Sequence, residues 1–149
     1  MGCVNVLETP SYFLWKEEQD MTTKQVIVIR RDLKMRRGKE IAQGSHASMA
    51  FLTRRIQKSL KVFNSPYPPM NDAEREWILN SFRKVTCQVP DLESLEKLHE
   101  LALEAGLESH LVEDSGHTEF GGVKTVTCLA IGPDYAEKID PITKELNLY

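Results

Sequence analysis

Apolar residues recur with two different periods along this chain, and the periods predict where its strands and helices lie. Residues 24–30, KQVIVIR, form a continuous apolar run rich in β-branched side chains, which is typical of a strand buried on both faces. Shorter runs predict three more strands, and Gly132-Pro133 is expected to end the last of them. These strands are predicted over 83–89, 108–114 and 123–133.

Helical periodicity is clearest between residues 39 and 60. At about 100° per residue, six side chains fall on one stripe, which is interpreted as the face that packs on the core. This stripe consists of Ile41, Ser45, Met49, Leu52, Ile56 and Leu60. A second stripe on roughly the opposite side carries a lysine, an amide and an imidazole, and it consists of Lys39, Gln43, His46 and Ala50.

Three further helices are predicted downstream. A short helix is expected over 73–82, after a proline-rich loop. Asp91 is the predicted N-cap of the next helix, which Gly106 ends. The last helix is predicted over 134–146, with an interruption at Pro141.

The order of these elements, β-α-α-β-α-β-β-α, predicts an α/β domain in which helices cover a small mixed sheet. A length of 149 residues suits a single domain with one core. Residues 1–21 lack hydrophobic periodicity and are interpreted as an N-terminal extension and a candidate for disorder. The predicted domain therefore covers 22–149.

Basic residues are concentrated in the first third of the predicted domain. Between Lys24 and Lys61, eleven basic residues stand against two acidic ones, a net charge of +9, whereas the rest of the chain carries −12. This sorting indicates a basic face directed at an anion, with nucleic acid or phosphate as the leading classes. The alternative is a solvated charge run without a partner. The residues selected for phosphate contact are Arg36 and Arg37, with Lys34 and Arg31 beside them.

Other classes of function are disfavoured by the composition. No apolar run approaches the roughly 20 residues that span a bilayer. Cys87 and Cys128 lie in apolar alternating runs and are interpreted as small buried hydrophobes in a reducing intracellular compartment. The four histidines lack metal-binding spacing, and Gly38-Lys39 lacks the rest of a P-loop. Neither a metal nor a cofactor is therefore expected.

Two polar segments stand next to predicted strands. KMRRGKEIAQGSHA (34–47) follows the first strand, and DSGHTEF (114–120) precedes the last one. Because sites in open α/β sheets form at strand ends, side chains from both segments are expected to meet in one place. The candidates are Lys39, His46, Asp114, Thr118 and Thr127.

Each candidate also has an ordinary interpretation. A cation at a helix start, as at Lys39, opposes the helix dipole, which points to a function such as holding a phosphate or a developing oxyanion, although a plain surface lysine is the slightly favoured interpretation. Asp114 can close an Asx-turn or can orient a water molecule. For His46, a hydrogen-bonded, partly buried histidine is favoured over a site residue. Thr118 and Thr127 fit ordinary loop and strand hydroxyls.

Two separated motifs in the same order carry a resemblance to a known family. VIVIRRDLKMRRGKEIAQGSHA near the start, and DSGHTEF followed by TVTCLAIGPD near the end, resemble the second peptidyl-tRNA hydrolase family, the archaeal and eukaryotic type. The resemblance covers 22–149. It implies a four-stranded mixed sheet flanked by helices, and cleavage of the ester that joins a peptide to tRNA.

The resemblance also implies roles for residues. Lys39, Asp114, Thr118 and Thr127 correspond to the active-site positions of the family. His46 and Gln43 are predicted to contact these residues rather than the substrate. Peptidyl-tRNA is the implied partner, a homodimer the implied assembly and the cytoplasm the implied location. A catalytically inactive RNA- or protein-binding module on the same fold remains the alternative. Gly121-Gly122 replaces the Pro-Gly turn usual in the family and predicts a more mobile loop.

Overall fold

The computed structural model describes residues 22–64 and 67–149, so the predicted extension over 1–21 lies outside the described residues. The described chain forms one four-stranded sheet with helices on both faces, which confirms the predicted α/β class and the order of elements. The elements are β1 (Thr23–Arg30), α1 (Arg37–Phe63), α2 (Asp72–Glu76) with a π-helical turn (Trp77–Ser81), β2 (Lys84–Val89), α3 (Leu92–Glu104), β3 (Ser109–Asp114), β4 (Thr125–Tyr135) and α4 (Ala136–Thr143).

The sheet has the strand order β2-β1-β4-β3 and is mixed. β1 runs parallel to β2, and β4 runs antiparallel to both β1 and β3. β1 is central, and its residues from Val26 to Ile29 are all buried. The continuous apolar run of this strand is therefore explained by burial on both of its faces.

Each face of the sheet has its own apolar cluster. On one face, α3 and α4 pack on β1 and β4 through Val28, Leu95, Leu129 and Ile139. Asp91 caps α3 by accepting a hydrogen bond from the Ser94 amide, which confirms the predicted N-cap. On the other face, α1 packs over β1, β4 and β3 in a cluster of Ile27, Ile29, Met35, Ala47, Val112, Cys128 and Ala130.

The predicted core stripe of α1 is wrong. The buried residues of α1 are Gln43, Ala47, Ala50, Phe51 and Ser59. Ile41 and Met49, from the predicted stripe, are 65% and 52% exposed. Small Ala side chains let the helix approach the sheet closely, so α1 presents its Gln/Ala side to β4 and turns its most apolar side toward the flank above β2.

β4 and α4 also depart from the sequence prediction. β4 continues through Gly132-Pro133 to Tyr135, because its last residues still pair with Thr23 and Lys24 of β1. A register shift between Lys24 and Val26 accommodates the proline, which has no N–H to give to the ladder. α4 is shorter than predicted and contains Pro141 in its interior.

The two described cysteines, Cys87 and Cys128, are buried and free, as predicted. Burial raises the pKa of both thiols, that of Cys128 to about 11, so they are protonated at neutral pH. Among the helices of the described residues, none has the length and apolar character that a membrane crossing requires.

Candidate active site

The first turn of α1 meets the end of β3 and the loop that follows it. The ammonium group of Lys39 donates hydrogen bonds to Asp114 Oδ1 at 2.7 Å and to Thr118 Oγ1 at 2.8 Å. The side chains of Lys39 and Asp114 are only 12% and 11% exposed. The structure thus brings together three candidates from the two polar segments, 75 residues apart in sequence in the case of Lys39 and Asp114.

Both oxygens of Asp114 accept hydrogen bonds. Oδ2 accepts one from the Gly116 amide at 2.9 Å, so the predicted Asx-turn is present as well as the contact with Lys39. Oδ1 accepts a second one from Gln43 Nε2 at 3.0 Å. The hydrogen bond from Lys39, more than any other interaction, holds the pKa of the Asp114 carboxyl below its ordinary value. Asp114 is therefore ionised at neutral pH.

Gln43 connects this carboxylate to the interior of the sheet. Its side chain is buried, and its Oε1 accepts a hydrogen bond from the Thr127 hydroxyl at 2.6 Å. Thr127, on β4, is completely buried and also lies 3.3 Å from the Val112 carbonyl oxygen. Thr127 consequently reaches Asp114 only through the amide of Gln43.

The loop between β3 and β4 folds back on itself. The Gly116 carbonyl accepts hydrogen bonds from the amides of Phe120 and Gly122, and the Phe120 carbonyl accepts one from the Val123 amide. Gly116 has φ +82°, and a β-carbon there would overlap the Val123 carbonyl. Only glycine fits this position, and the resulting turn places Thr118 beside Lys39.

Two residues of this loop were not selected from the sequence. Glu119 accepts a hydrogen bond from Arg36 Nε at 2.6 Å, so it fastens the loop to the start of α1. The ring of Phe120 lies 5.7 Å from Lys39 Nζ, within the range of a cation–π contact. The sequence did contain one signal for Glu119, namely an acidic residue in a segment expected to meet the basic one. No comparable signal marked Phe120.

His46 lies apart from this cluster. It is exposed and lines a separate cavity of about 230 Å³ together with Arg54 and Glu113. Among the described residues, none of the hydrogen bonds or ion pairs of the Lys39 cluster involves His46. The supporting role predicted for His46 remains a prediction, and the geometry does not favour it.

The predicted phosphate-binding residues surround the start of α1 and are exposed. Arg36 is 77% exposed at its side chain although it binds Glu119. Arg31 stacks its guanidinium over the Tyr149 ring, 4.8 Å from the centroid, and lies 3.8 Å from Glu40. Lys34 and Arg37 complete this group, which we call the basic rim: Arg31, Lys34, Arg36 and Arg37.

The chemistry available here is that of a fixed cation. An ammonium group has three N–H donors, of which two are used by Asp114 and Thr118. The third is available to an oxygen that develops negative charge. Within the described residues, no three His, Cys, Asp or Glu side chains are grouped so that they could hold a metal ion.

Comparison with known proteins decides which family this arrangement represents. The family described as "Peptidyl-tRNA hydrolase PTH2" matches residues 23–149, which is nearly the whole described chain. This protein belongs to the peptidyl-tRNA hydrolase PTH2 family. The resemblance drawn from the two sequence motifs is thereby confirmed, and the Lys39–Asp114 pair joins one motif to the other.

Relatives within the PTH2 family cover the domain almost completely. A peptidyl-tRNA hydrolase of Methanothermobacter thermautotrophicus is 41% identical over 125 residues, 84% of this chain and 98% of the relative. One of Methanopyrus kandleri is 43% identical over 125 residues, 84% of this chain and 97% of the relative. A probable peptidyl-tRNA hydrolase 2 of Dictyostelium discoideum is 38% identical over 138 residues, 93% of this chain and 60% of the relative.

Proposed function

We propose that this protein cleaves the ester that joins a peptide, or an N-blocked amino acid, to tRNA, and so returns the tRNA to use. The observation that carries the proposal is the contact of Lys39 with Asp114 and Thr118 at the exposed start of α1, in a chain of the PTH2 family. Membership of this family favours the hydrolase over an inactive RNA- or protein-binding module.

Lys39 is assigned to the oxyanion. When water attacks the ester carbonyl, a bond forms between the water oxygen and the carbonyl carbon. The bond to the ribose oxygen then breaks, and a proton from the attacking water passes to that oxygen, which leaves as the ribose hydroxyl. The unused N–H of Lys39 can donate to the negative oxygen of the tetrahedral intermediate. Loss of one such donor costs about 10²–10³ in rate.

Asp114 is assigned to positioning rather than to proton abstraction. A general base is most effective when its pKa lies near the working pH, and Lys39 holds the pKa of Asp114 below even the ordinary aspartate value. A carboxylate of low pKa is a poor base but a good anchor for the ammonium group. It can also accept a hydrogen bond from the attacking water. Thr118 accepts from Lys39, which leaves its own hydroxyl hydrogen for water or substrate.

Gln43 and Thr127 are assigned to holding Asp114 in place. The Thr127 hydroxyl occupies the amide oxygen of Gln43, so the amide nitrogen must point toward the carboxylate. Since Thr127 is completely buried, it acts on the reaction only through this amide. His46 is left without an assignment by this scheme.

The basic rim is assigned to the tRNA phosphates. These exposed cations lie next to Lys39 along the chain, so a backbone phosphate bound there would bring the terminal adenosine within range of the ammonium group. Arg36 already binds Glu119, so a phosphate would share or replace that partner. We also propose that the reaction takes place in the cytoplasm, as a step downstream of translation.

A homodimer is a further expectation from the family resemblance. Support comes from the last turns of α1, where Leu60, Val62 and Phe63 are exposed. Exposed apolar side chains that adjoin one another are typical of protein–protein contacts. This surface lies at the opposite end of α1 from Lys39.

The direct test is steady-state hydrolysis of an N-acetylated aminoacyl-tRNA by the purified protein without added metal. Lys39→Ala and Asp114→Asn should each lower kcat by about 10²-fold or more, because each removes one member of the ion pair. Lys124→Ala is the matched control, since Lys124 is exposed and pairs with a carboxylate of the same sheet outside the site. Near-normal turnover in either site variant would remove that residue from the mechanism.

The same assay tests the basic rim when it is repeated at increasing salt concentration. Arg37→Ala combined with Lys34→Ala should raise KM and leave kcat largely unchanged. The dependence of log KM on log salt should also become shallower by roughly two phosphate contacts. An unchanged salt slope would exclude these two residues from the contact with tRNA.

A further inference from the structure

An open apolar groove runs along the side of α1 that faces away from Lys39. Its floor is formed by β1 and β2, one wall by α1 and the other by the π-helical turn. The groove has a volume of about 880 Å³, and its apolar lining includes Ile27, Ile41, Met49, Leu52, Trp77 and Phe82. Contiguous exposed apolar side chains of this kind are typical of interaction sites.

The groove exists because α1 covers only part of its face of the sheet. α1 packs on β1, β4 and β3, which leaves the flank above β2 open. Ile41 and Met49 project there with more than half of their surfaces exposed. An apolar stripe along a helix is normally covered by another element, but here the described residues leave this stripe largely uncovered.

The chain enters the domain at one end of this groove. The Thr23 hydroxyl is 2.9 Å from the Ser81 hydroxyl, and Ser81 donates to the Thr23 carbonyl at 2.8 Å. Ser81 ends the π-helical turn whose Trp77, together with the following Phe82, forms a wall of the groove. The start of β1 therefore lies beside this wall.

The sequence ahead of Thr22 matches the groove in apolar character and in charge. Residues 12–15 are YFLW, four consecutive large apolar side chains. Residues 16–20, KEEQD, carry a net charge of −2. Lys84, which opens β2, pairs in register with Gln25 near the entry point, and its ammonium group lies 3.3 Å from the Phe82 ring centroid at the edge of the groove.

The length of the connection is sufficient. Six residues lie between Trp15 and Thr22, so the two are seven residue steps apart, and seven extended steps span at most about 25 Å. Ile29, toward the far end of the groove floor, is six residues along β1 from Thr23, roughly 20 Å at the rise of a strand. Trp15 can therefore reach any part of the floor.

We propose that the segment Tyr12–Trp15 of this same chain docks in the groove, with Glu17, Glu18 and Asp20 next to Lys84. Docking within one chain is favoured over capture of a second copy, because a short tether supplies an effective concentration in the millimolar range. It also avoids most of the translational and rotational entropy that association costs. The docked segment completes the burial of the apolar stripe of α1.

Methyl NMR on the full chain tests the proposal. Aromatic rings of residues 12–15 should displace the methyl signals of Ile41 and Met49 through ring currents. Phe13→Glu combined with Trp15→Glu should abolish that displacement, while the methyl signals of the buried Ile139 stay in place as a check of the fold. The readout does not involve hydrolysis. The docking proposal can therefore fail while the proposed function holds, and the proposed function can fail while the docking proposal holds.

Val4→Glu combined with Val6→Glu is the matched control, since it adds the same charge to the same extension outside the docking segment. This control should retain the displaced Ile41 and Met49 signals, and dilution of the full chain should leave them unchanged. Identical signals in the full chain and in the Phe13/Trp15 variant would overturn the proposal. Signals that revert on dilution would also overturn it, because they would identify a second copy as the occupant.

Discussion

At the scale of single residues, Gln43 determines how the candidate site is held. A glutamine amide can point either end toward a neighbour, and the choice is usually ambiguous. Here the Thr127 hydroxyl donates to Oε1 and the Asp114 carboxylate accepts from Nε2, so both contacts require the same orientation. A buried hydroxyl on β4 thus controls a carboxylate at the edge of the sheet.

Thr127→Val tests this control without changing the shape of the side chain. The substitution leaves the buried Oε1 of Gln43 without its donor. This should lower the free energy of unfolding by about 1–3 kcal/mol. The amide is then oriented only by its hydrogen bond to Asp114, so it holds the carboxylate less firmly. We expect kcat for the tRNA ester to fall about tenfold with KM little changed, since the group acts through another residue and not on the substrate.

Thr127→Ser is the control for this prediction, because it restores the hydroxyl and removes only a methyl group. Activity close to that of the unmodified protein is expected for the serine variant. If the valine variant kept full kcat, or if serine failed to restore it, Thr127 would have only a packing role.

At the scale of elements, the sequence was sufficient for order and class but not for the choice of faces. The β-branched run of β1 and the caps of α3 were predicted because they depend on local chemistry. The α1 stripe was misassigned because periodicity shows which side is most apolar, not which side another element covers. Gln43 and Ala47 are the side chains that meet the sheet.

The same limit explains His46. Helical angle groups it with Lys39, but His46 comes seven positions later, which amounts to about 10 Å along the axis, so the two side chains face different neighbours. Thr118 was placed correctly beside Lys39 by the strand-end argument, because that argument concerns where elements end. Glu119 was missed because one acidic residue opposite a basic segment does not specify its partner, which the structure shows to be Arg36.

The loop between β3 and β4 yields a prediction at this scale. Gly116→Ala would drive a β-carbon into the Val123 carbonyl, so the turn that holds Thr118 must shift. Misplacement of a reacting group by about 1 Å can cost 10²-fold, and we expect kcat/KM to fall by about that factor. The variant should nevertheless remain folded, because the loop lies outside both apolar clusters except for Phe120.

Gly121→Ala is the matched control for this loop. Gly121 also has positive φ, +60°, but a β-carbon there meets nothing within 4 Å. The Gly121→Ala substitution should therefore lower stability only through backbone strain, by about 1–2 kcal/mol, and should not displace the turn. Equal losses of kcat/KM in the two alanine variants would show that strain in the loop, and not the position of Thr118, is responsible.

At the scale of the whole molecule, a charge network ties the long α1 to the rest of the domain. The Arg55 guanidinium forms two hydrogen bonds with the fully buried carboxylate of Glu74 and also contacts Glu108 before β3. Glu108 in turn is 2.6 Å from His110 Nε2. The hydrogen bond with His110 is the largest influence that lowers the pKa of Glu108, to about 2.

This network makes stability depend on acid in a defined direction. Glu108 binds its proton less readily in the folded protein than in the unfolded chain, where a glutamate has a pKa near 4.3. Its contribution is therefore complete above that pH and is lost as the pH falls toward about 2. Asp114 acts in the same direction. We expect the urea midpoint to fall between about pH 5 and pH 2.

Glu108→Gln should make that fall shallower and lower the midpoint at pH 7, because Arg55 and His110 lose a charged partner. The cost at neutral pH is expected to be only about 1 kcal/mol, since the Glu108 side chain is 31% exposed and water screens part of the interaction. Glu113→Gln on β3 is the control, because that carboxylate is 54% exposed and 3.6 Å from Lys124. If the urea midpoints of both variants showed the same dependence on pH, the network around Arg55 would not be the cause of the loss of stability in acid.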